Sequence, residues 1–371
     1  MNKFNYYNPV QVTFGQGSFT QLNEVVGDRK VLLLTSKGFT KRGTVEQLKQ
    51  QINSDIIIID SIAPNPTIDE LSFYYEKIIH QHFDVIVALG GGSVIDTAKV
   101  LSVYQESQSS FEPLKRLIKE GTEFEYKLRP IIAIPTTSGT SSEITPWATV
   151  WDNVNKKKYS LQLKDLWCEL AIYDPLLTLS LSKELTIQTG LDALSHSFES
   201  LWNKNANYLS RDHAIQAAKE IIEVLPKLIN DLSNIALRER LMYASLKAGL
   251  AFSNTQTAIA HAISYELTLR KEIPHGIACS ITLPSIIKSI YGQEKNLDRA
   301  LTEILGPLNE NRLILLFNKL EVSLLFSNYG IQKEDLIKIK NGLVEIQRAQ
   351  NSLVNTEVLF NELSSNISTL Q

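Results

Sequence analysis

Five strand-forming residues, Val85-Ile86-Val87-Ala88-Leu89, run directly into Gly90-Gly91-Gly92-Ser93, and a helical stretch from about Val94 carries Asp96 and Lys99. No other feature constrains the chain as much. An unbroken apolar run has no polar face to offer water, so it predicts a strand covered on both sides, as in a parallel sheet. Glycines at the strand end let the backbone approach a ligand closely, and the helix start aims free N–H groups at an anion. A pyrophosphate is the expected guest. The spacing is neither G-x-G-x-x-G nor a Walker loop, and alone it fits a tight structural turn equally well.

The rest of the first half repeats the pattern. Apolar runs at 31–34, 56–59, 85–89 and 131–134 alternate with helical stretches near 45–52 and 68–80, the signature of an α/β domain. Pro64 and Pro66 make a loop of the segment between two of these units. The run ending at Ile134 opens into Pro135-Thr136-Thr137-Ser138-Gly139-Thr140-Ser141-Ser142-Glu143. So many small donors at one strand end predict a ligand cradle on the carboxyl edge of the sheet. Residues 148–151 and 158–161 read as a hairpin, and 171–173 as a last strand. From about Leu179 onward β-branched runs give way to helical periodicity, as at Ile215, Ala218, Ile222 and Leu225. Two domains are expected: residues 1–180, α/β and dinucleotide-binding, and residues 181–371, all-helical. The last twenty or so residues read as a polar terminal helix with a frayed end.

A formal net charge of -3 and no basic stripe argue against a nucleic-acid partner. The two cysteines, Cys168 and Cys279, are far apart in sequence. That spacing fits a reducing compartment and speaks against a disulfide framework or a cysteine-based zinc site. The N-terminus lacks an apolar signal core and no run has membrane-spanning length, so a soluble cytoplasmic protein is expected.

The helical half carries the chemistry. In Gly190-Leu191-Asp192-Ala193-Leu194-Ser195-His196, Asp192 and His196 stand four apart and share a helix face. A carboxylate and an imidazole so presented are half a divalent-metal site, although alone such a pair is more often a solvated ion pair. His261 and His275 could complete a four-ligand set. His275, between Pro274 and Gly276, suits a short loop. His80, His82 and His213 read as surface or packing residues.

Taken together, the Gly-Gly-Gly-Ser-x-x-Asp segment ending at Asp96, Pro-Thr-Thr-x-Gly-Thr ending at Thr140, Gly-Leu-Asp-Ala-Leu-x-His ending at His196, and His261 followed by Pro274-His275-Gly276 occur in order. Over nearly its whole length the chain resembles the iron-containing (group III) alcohol dehydrogenase family. The resemblance implies a dehydroquinate-synthase-like architecture with a metal-bearing cleft between the two domains. It implies Fe2+ or Zn2+ on Asp192, His196, His261 and His275, and a pyrophosphate on Gly91, Gly92 and Ser93 with Asp96 nearby. Thr136, Thr137 and Thr140 would contact the cofactor, and Lys158 would sit near the nicotinamide ribose. It also implies a small aldehyde or alcohol as substrate and a homo-oligomer, dimer or larger.

Two positions depart from the family pattern. Where many members carry a second histidine four residues after the third ligand, this chain has Tyr265, either a proton donor or an aromatic wall. Where NAD-using members often carry an aspartate after the first strand, this chain has Ser36 and then Lys37, which favours NADPH over NADH, with Asp60 as a counter-indication. The sequences around Trp151, Lys158 and Tyr265 resemble the branch that reduces phosphonoacetaldehyde, for which Arg270 and Lys271 are candidate phosphonate-binding cations. A generic short-chain alcohol dehydrogenase is the alternative. A dehydroquinate-synthase-like lyase would need more basic residues, and a non-catalytic binding protein should have lost ligands.

Overall fold

Six parallel strands form the central sheet, in the order Gln11–Phe14, Leu170–Tyr173, Ile131–Pro135, Val85–Gly90, Val31–Thr35, Ile56–Ile59. The computed structural model describes residues 3–106, 110–308 and 310–367. The middle strands are apolar up to their last residues because both faces are covered, and Val31, Leu32, Leu33, Leu34, Val85, Ile86 and Val87 are completely buried. Leu32, Leu34, Ile86 and Ala88 pack in one core, and Val31, Leu33, Val85 and Val87 in another on the opposite face. The strand Gln11–Phe14 escaped the sequence reading. It is short and half exposed at the sheet edge, so no apolar run marks it.

Winding reverses between Val31–Thr35 and Val85–Gly90. The chain leaves the first of these toward Ile56–Ile59, then returns to the other side and continues toward Ile131–Pro135. A reversal of this kind opens a crevice at the carboxyl ends of the two strands, the usual ligand position in open α/β sheets. Thr35 Oγ1 donates to the Leu89 carbonyl at 2.7 Å and ties the two ends together. The helix after the glycines begins at Gly92, two residues earlier than the sequence suggested, so Ser93 lies inside its first turn.

The chain divides into two compact units. One comprises Pro9–Thr137 and Ser141–Thr178, the other Leu179–Gln371 together with the segment ending at Asn8 and Ser138–Thr140. This differs from contiguous domains of 1–180 and 181–371. The N-terminal segment goes with the helices because Asn254 accepts from the Tyr7 N–H at 2.8 Å and donates to its carbonyl at 3.1 Å, while Tyr6 donates to the Leu250 carbonyl. The helical unit is built on Lys183–Leu201, Tyr208–Leu228 and Ile235–Thr255 around one continuous core. The terminal helix Thr356–Ser365 buries Leu359, Phe360 and Leu363 in that core, so it is amphipathic rather than polar. The expected fray at its end falls on residues 368–371, outside the described residues. Among the described residues no helix is long and apolar enough to cross a membrane.

Candidate metal centre

The helix Lys183–Leu201 begins at Ser182, whose side chain accepts from the Leu185 N–H at 3.2 Å. Such a cap fixes the start, and the 3.6-residue turn then sets Asp192, His196 and Glu199 on one face. All three are buried. Close helix approach at Gly276 puts the next element against this face: a Cβ there would lie 1.8 Å from the Gln188 carbonyl oxygen and 3.2 Å from Asp192 Cβ. His275 is the first residue of a helix, His275–Ser280, and does not sit in the loop that was expected.

One ligand atom each from Asp192, His261, His275 and Cys279 falls within 4.8 Å of all the others. Asp192 Oδ1 and His261 Nε2 face each other at 3.4 Å. Both atoms are buried without a hydrogen-bond partner. An ion is the economical occupant of such a point, because unmatched buried polar atoms are costly. His196 lies beside the group. Its Nε2 is 3.8 Å from Asp192 Oδ1, and its ring stacks on Phe252 at 3.9 Å and on His261 at 4.6 Å between centroids. The compact group thus includes Cys279, which the sequence reading set aside as far from Cys168. The usable signal was its position four residues after His275 on the same helix.

Glu199, also passed over, holds His261. Its Oε1 accepts from the His261 backbone N–H at 3.0 Å, and its Oε2 lies 2.5 Å from Nδ1. A carboxylate can only accept, so Nδ1 carries a proton, and a cation would take the place of the second proton on Nε2. Burial opposes charge on Glu199, but His261 and the backbone donors hold its carboxyl below the usual range. Burial likewise opposes charge on Asp192, and the surrounding His196, His275 and His261 hold it low. Burial pushes the His196 imidazole down to about 4, against the pull of Asp192. Anionic carboxylates and a neutral imidazole are the forms a cation needs. For His261 burial works against the proton, but Cys279, Glu199 and Asp192 outweigh it and lift the pKa well above the ordinary value. Tyr265, one turn after His261 in the helix Ile259–Lys271, is half-buried.

In the α/β unit, Gly91 caps the helix Gly92–Ser102 in extended conformation, and a Cβ on it would stand 3.1 Å from the Thr137 side chain. Ser93 Oγ accepts from the Asn65 N–H at 3.0 Å. Asp96 is committed to the neighbouring hairpin, its Oδ2 accepting from the Thr149 N–H at 3.0 Å. Burial raises its pKa, with Lys99 the main opposing influence and Lys158 a lesser one. Lys99 is fully buried, its ammonium donating to the carbonyls of Ser142, Thr145 (2.6 Å) and Trp147 (2.8 Å). It pins the turn into the hairpin strand Trp147–Asp152. Lys158, on the second hairpin strand Lys157–Gln162, lies over the Trp151 ring. Thr136 is buried, Thr137 and Thr140 half-buried, and Thr140 belongs with Gly139 to the helical unit, where Gly139 packs on Thr189.

Ser36 caps the short helix Lys37–Lys41 in extended conformation. Asp60 is occupied, accepting from Thr40 Oγ1 at 2.7 Å. The expectation that Arg270 and Lys271 reach a substrate meets other commitments: Arg270 is exposed and paired with Glu266, and Lys271 is bound to Asp335 at 2.7 Å and to the Gly330 carbonyl.

Residues 9–175 match the model of iron-containing alcohol dehydrogenases, and residues 186–357 match that family's C-terminal domain. A 1,3-propanediol dehydrogenase of Citrobacter freundii is 31% identical over 296 residues, covering 77% of this chain and 75% of that protein. The chain belongs to the iron-containing alcohol dehydrogenase family. It is accordingly an NAD(P)-linked oxidoreductase acting on CH–OH groups, with a parallel α/β domain followed by a helical one. A sulfoacetaldehyde reductase of Bilophila wadsworthia is 29% identical over 353 residues, covering 90% of each chain. The crystal structure of sulfoacetaldehyde reductase from Bifidobacterium kashiwanohense in complex with NAD+ superposes with a TM-score of 0.92 at 26% identity, covering 100% of both chains.

Proposed function

We propose that this alcohol dehydrogenase reduces a short aldehyde carrying an anionic head group, phosphonoacetaldehyde foremost, with NADPH as hydride donor. A divalent cation, Fe2+ or Zn2+, is held by Asp192, His261 and His275 with His196 beside them. The observation that carries this reading is the buried, hydrogen-bond-free pair of Asp192 Oδ1 and His261 Nε2 inside a group of metal-binding side chains. When bound, such a cation would supply Lewis-acid polarisation of a carbonyl oxygen, easing its conversion to an alkoxide by hydride from the nicotinamide.

The protein's own residues do the rest. Glu199 fixes the tautomer and direction of His261. Tyr265 donates a proton to the alkoxide oxygen. Gly91, Gly92 and Ser93 take the pyrophosphate at a helix start, and Thr136, Thr137, Thr140 and Lys158 contact the remainder of the cofactor. Preference for NADPH is supported by Ser36 and Lys37, by the engagement of Asp60 with Thr40, and by Arg42. Arg42 and Ser36 both border Gly38, where a Cβ would stand 3.1 Å from Arg42 Nη1 and 3.6 Å from Ser36 Oγ. A cation beside a hydroxyl suits the 2′-phosphate.

The anionic head group is supported by the likeness to two proteins named sulfoacetaldehyde reductases. The commitments of Arg270 and Lys271 favour a second reading, a neutral short aldehyde. In keeping with the family resemblance, we propose a cytoplasmic enzyme that is a dimer or larger homo-oligomer. A panel of phosphonoacetaldehyde, sulfoacetaldehyde and propanal with the metal-loaded protein, following oxidation of NADPH and of NADH, tests the choice. The anionic aldehydes should be turned over with the higher kcat/KM. Preference for propanal selects the second reading, and no turnover of any aldehyde defeats both.

A further inference from the structure

We propose that the helical unit carries a second ligand site, a cationic cavity that binds a phosphorylated, sugar-like small molecule. It uses none of the metal-centre residues and is independent of the reaction proposed above.

An open cavity of about 740 Å3 lies within this unit, between the segment Lys3-Phe4-Asn5 and the starts of two helices, Tyr208–Leu228 and Lys295–Leu305. That volume is in the range of small-molecule sites. Its wall carries three cations, Lys3, Lys204 and Arg211, against one carboxylate, Glu294, in a chain whose formal net charge is -3. The carboxylate is spent on its own helix, accepting from the Asn296 and Leu297 N–H groups at 3.1 and 2.8 Å. Among the described residues Arg211 has a single polar side-chain contact, to Glu294 at 3.4 Å, and its buried Nε has no acceptor. Among the same residues neither Lys3 nor Lys204 has a carboxylate partner.

Cations gathered on a concave wall with little counter-charge repel one another and draw an anion in. Asn207 and Glu294, which cap the two helices, also line the cavity, so the positive ends of both helices add to the field. A phosphate dianion answers that field, and a guanidinium with free donors matches its oxygens. The organic part has a place as well. Phe4 and Tyr208 are exposed, with ring centroids 6.2 Å apart, and line the cavity with the amides of Asn5 and Asn296. Aromatic faces beside amides suit the C–H face and the hydroxyls of a sugar.

The test titrates ribose 5-phosphate into the full-length protein saturated with its dinucleotide, so that the cofactor's own phosphate positions are filled, and reads the heat of binding. Ribose is the control. The phosphate ester should bind about tenfold or more tightly than ribose, and more weakly as salt is raised. Lys204 is exposed, and Lys204→Glu should weaken binding about tenfold or more, as should Arg211→Gln. Lys164→Glu, an exposed change outside the cavity, should leave it unaltered. Should the Arg211 variant fail to fold, the Lys204 change decides. No binding of ribose 5-phosphate, equal affinity for ribose, full affinity in Lys204→Glu, or an equal loss in Lys164→Glu would each overturn the site and leave the metal centre standing.

Discussion

Glu199 meets His261 twice, one carboxylate oxygen taking the backbone N–H at 3.0 Å and the other lying 2.5 Å from Nδ1 of the same residue. The ring therefore cannot rotate or exchange tautomers without breaking a buried, charge-assisted hydrogen bond. Glu199→Gln keeps the shape but removes the charge that holds the proton on Nδ1. Metal affinity should drop about 10- to 100-fold, as for other groups that orient a metal-binding histidine. Chelator competition would measure it, and an unchanged affinity would show that Glu199 is only a packing residue.

Gly276 sets the distance between two helices that carry candidate ligands. With a Cβ due 1.8 Å from the Gln188 carbonyl, Gly276→Ala must push His275 and Cys279 away from Asp192. Metal content after dialysis should fall sharply. Full retention of the ion, measured by elemental analysis, would mean that the helix Lys183–Leu201 gives way instead.

Ser36→Asp places a carboxylate where a 2′-phosphate is proposed to bind. The ratio of kcat/KM for NADPH over that for NADH should fall by about tenfold or more, since like charges at close range are strongly unfavourable. An unaltered ratio would place the ribose elsewhere.

Tyr265→Phe removes the proposed proton donor while keeping the ring. General acid contributions of this kind are worth about 100-fold or more, so kcat should fall by that order with KM nearly constant. If both parameters are untouched, the ring is a wall.

Tyr173 donates to Glu143 Oε1 at 2.8 Å in the buried interior of the α/β unit. Burial raises the Glu143 carboxyl above its ordinary value, and this hydrogen bond partly counters the rise. A carboxyl raised on folding costs no stability at pH values where it is protonated in both states. It costs more as the pH climbs through the unfolded value toward the folded one. Tyr173→Phe should raise Glu143 further, so its penalty, about 1–3 kcal/mol at neutral pH, should shrink in acid. Denaturant unfolding at the two pH values checks the sign, and a penalty larger in acid would contradict it.

The sequence alone determined the sheet and the glycine turn. Residues 31–34, 85–89 and 131–134 are apolar at every position, which only two-sided burial explains, and Gly90-Gly91-Gly92 can end such a strand only in a turn. It determined too that Asp192 and His196 share a face, because a helix repeats at 3.6 residues regardless of what surrounds it. The edge strand Gln11–Phe14 was not legible, since edge position frees it from the apolar requirement. Nor was the company around Asp192. Whether Cys279 or His196 stands in the compact group, and which carboxylate braces His261, depends on how the helices Lys183–Leu201, Ile259–Lys271 and His275–Ser280 approach one another. That approach is set by contacts such as Gly276 on Gln188, between residues 88 apart in the chain. Periodicity along one helix reports the direction of a side chain and carries no information about the neighbour it meets; packing supplies the neighbour.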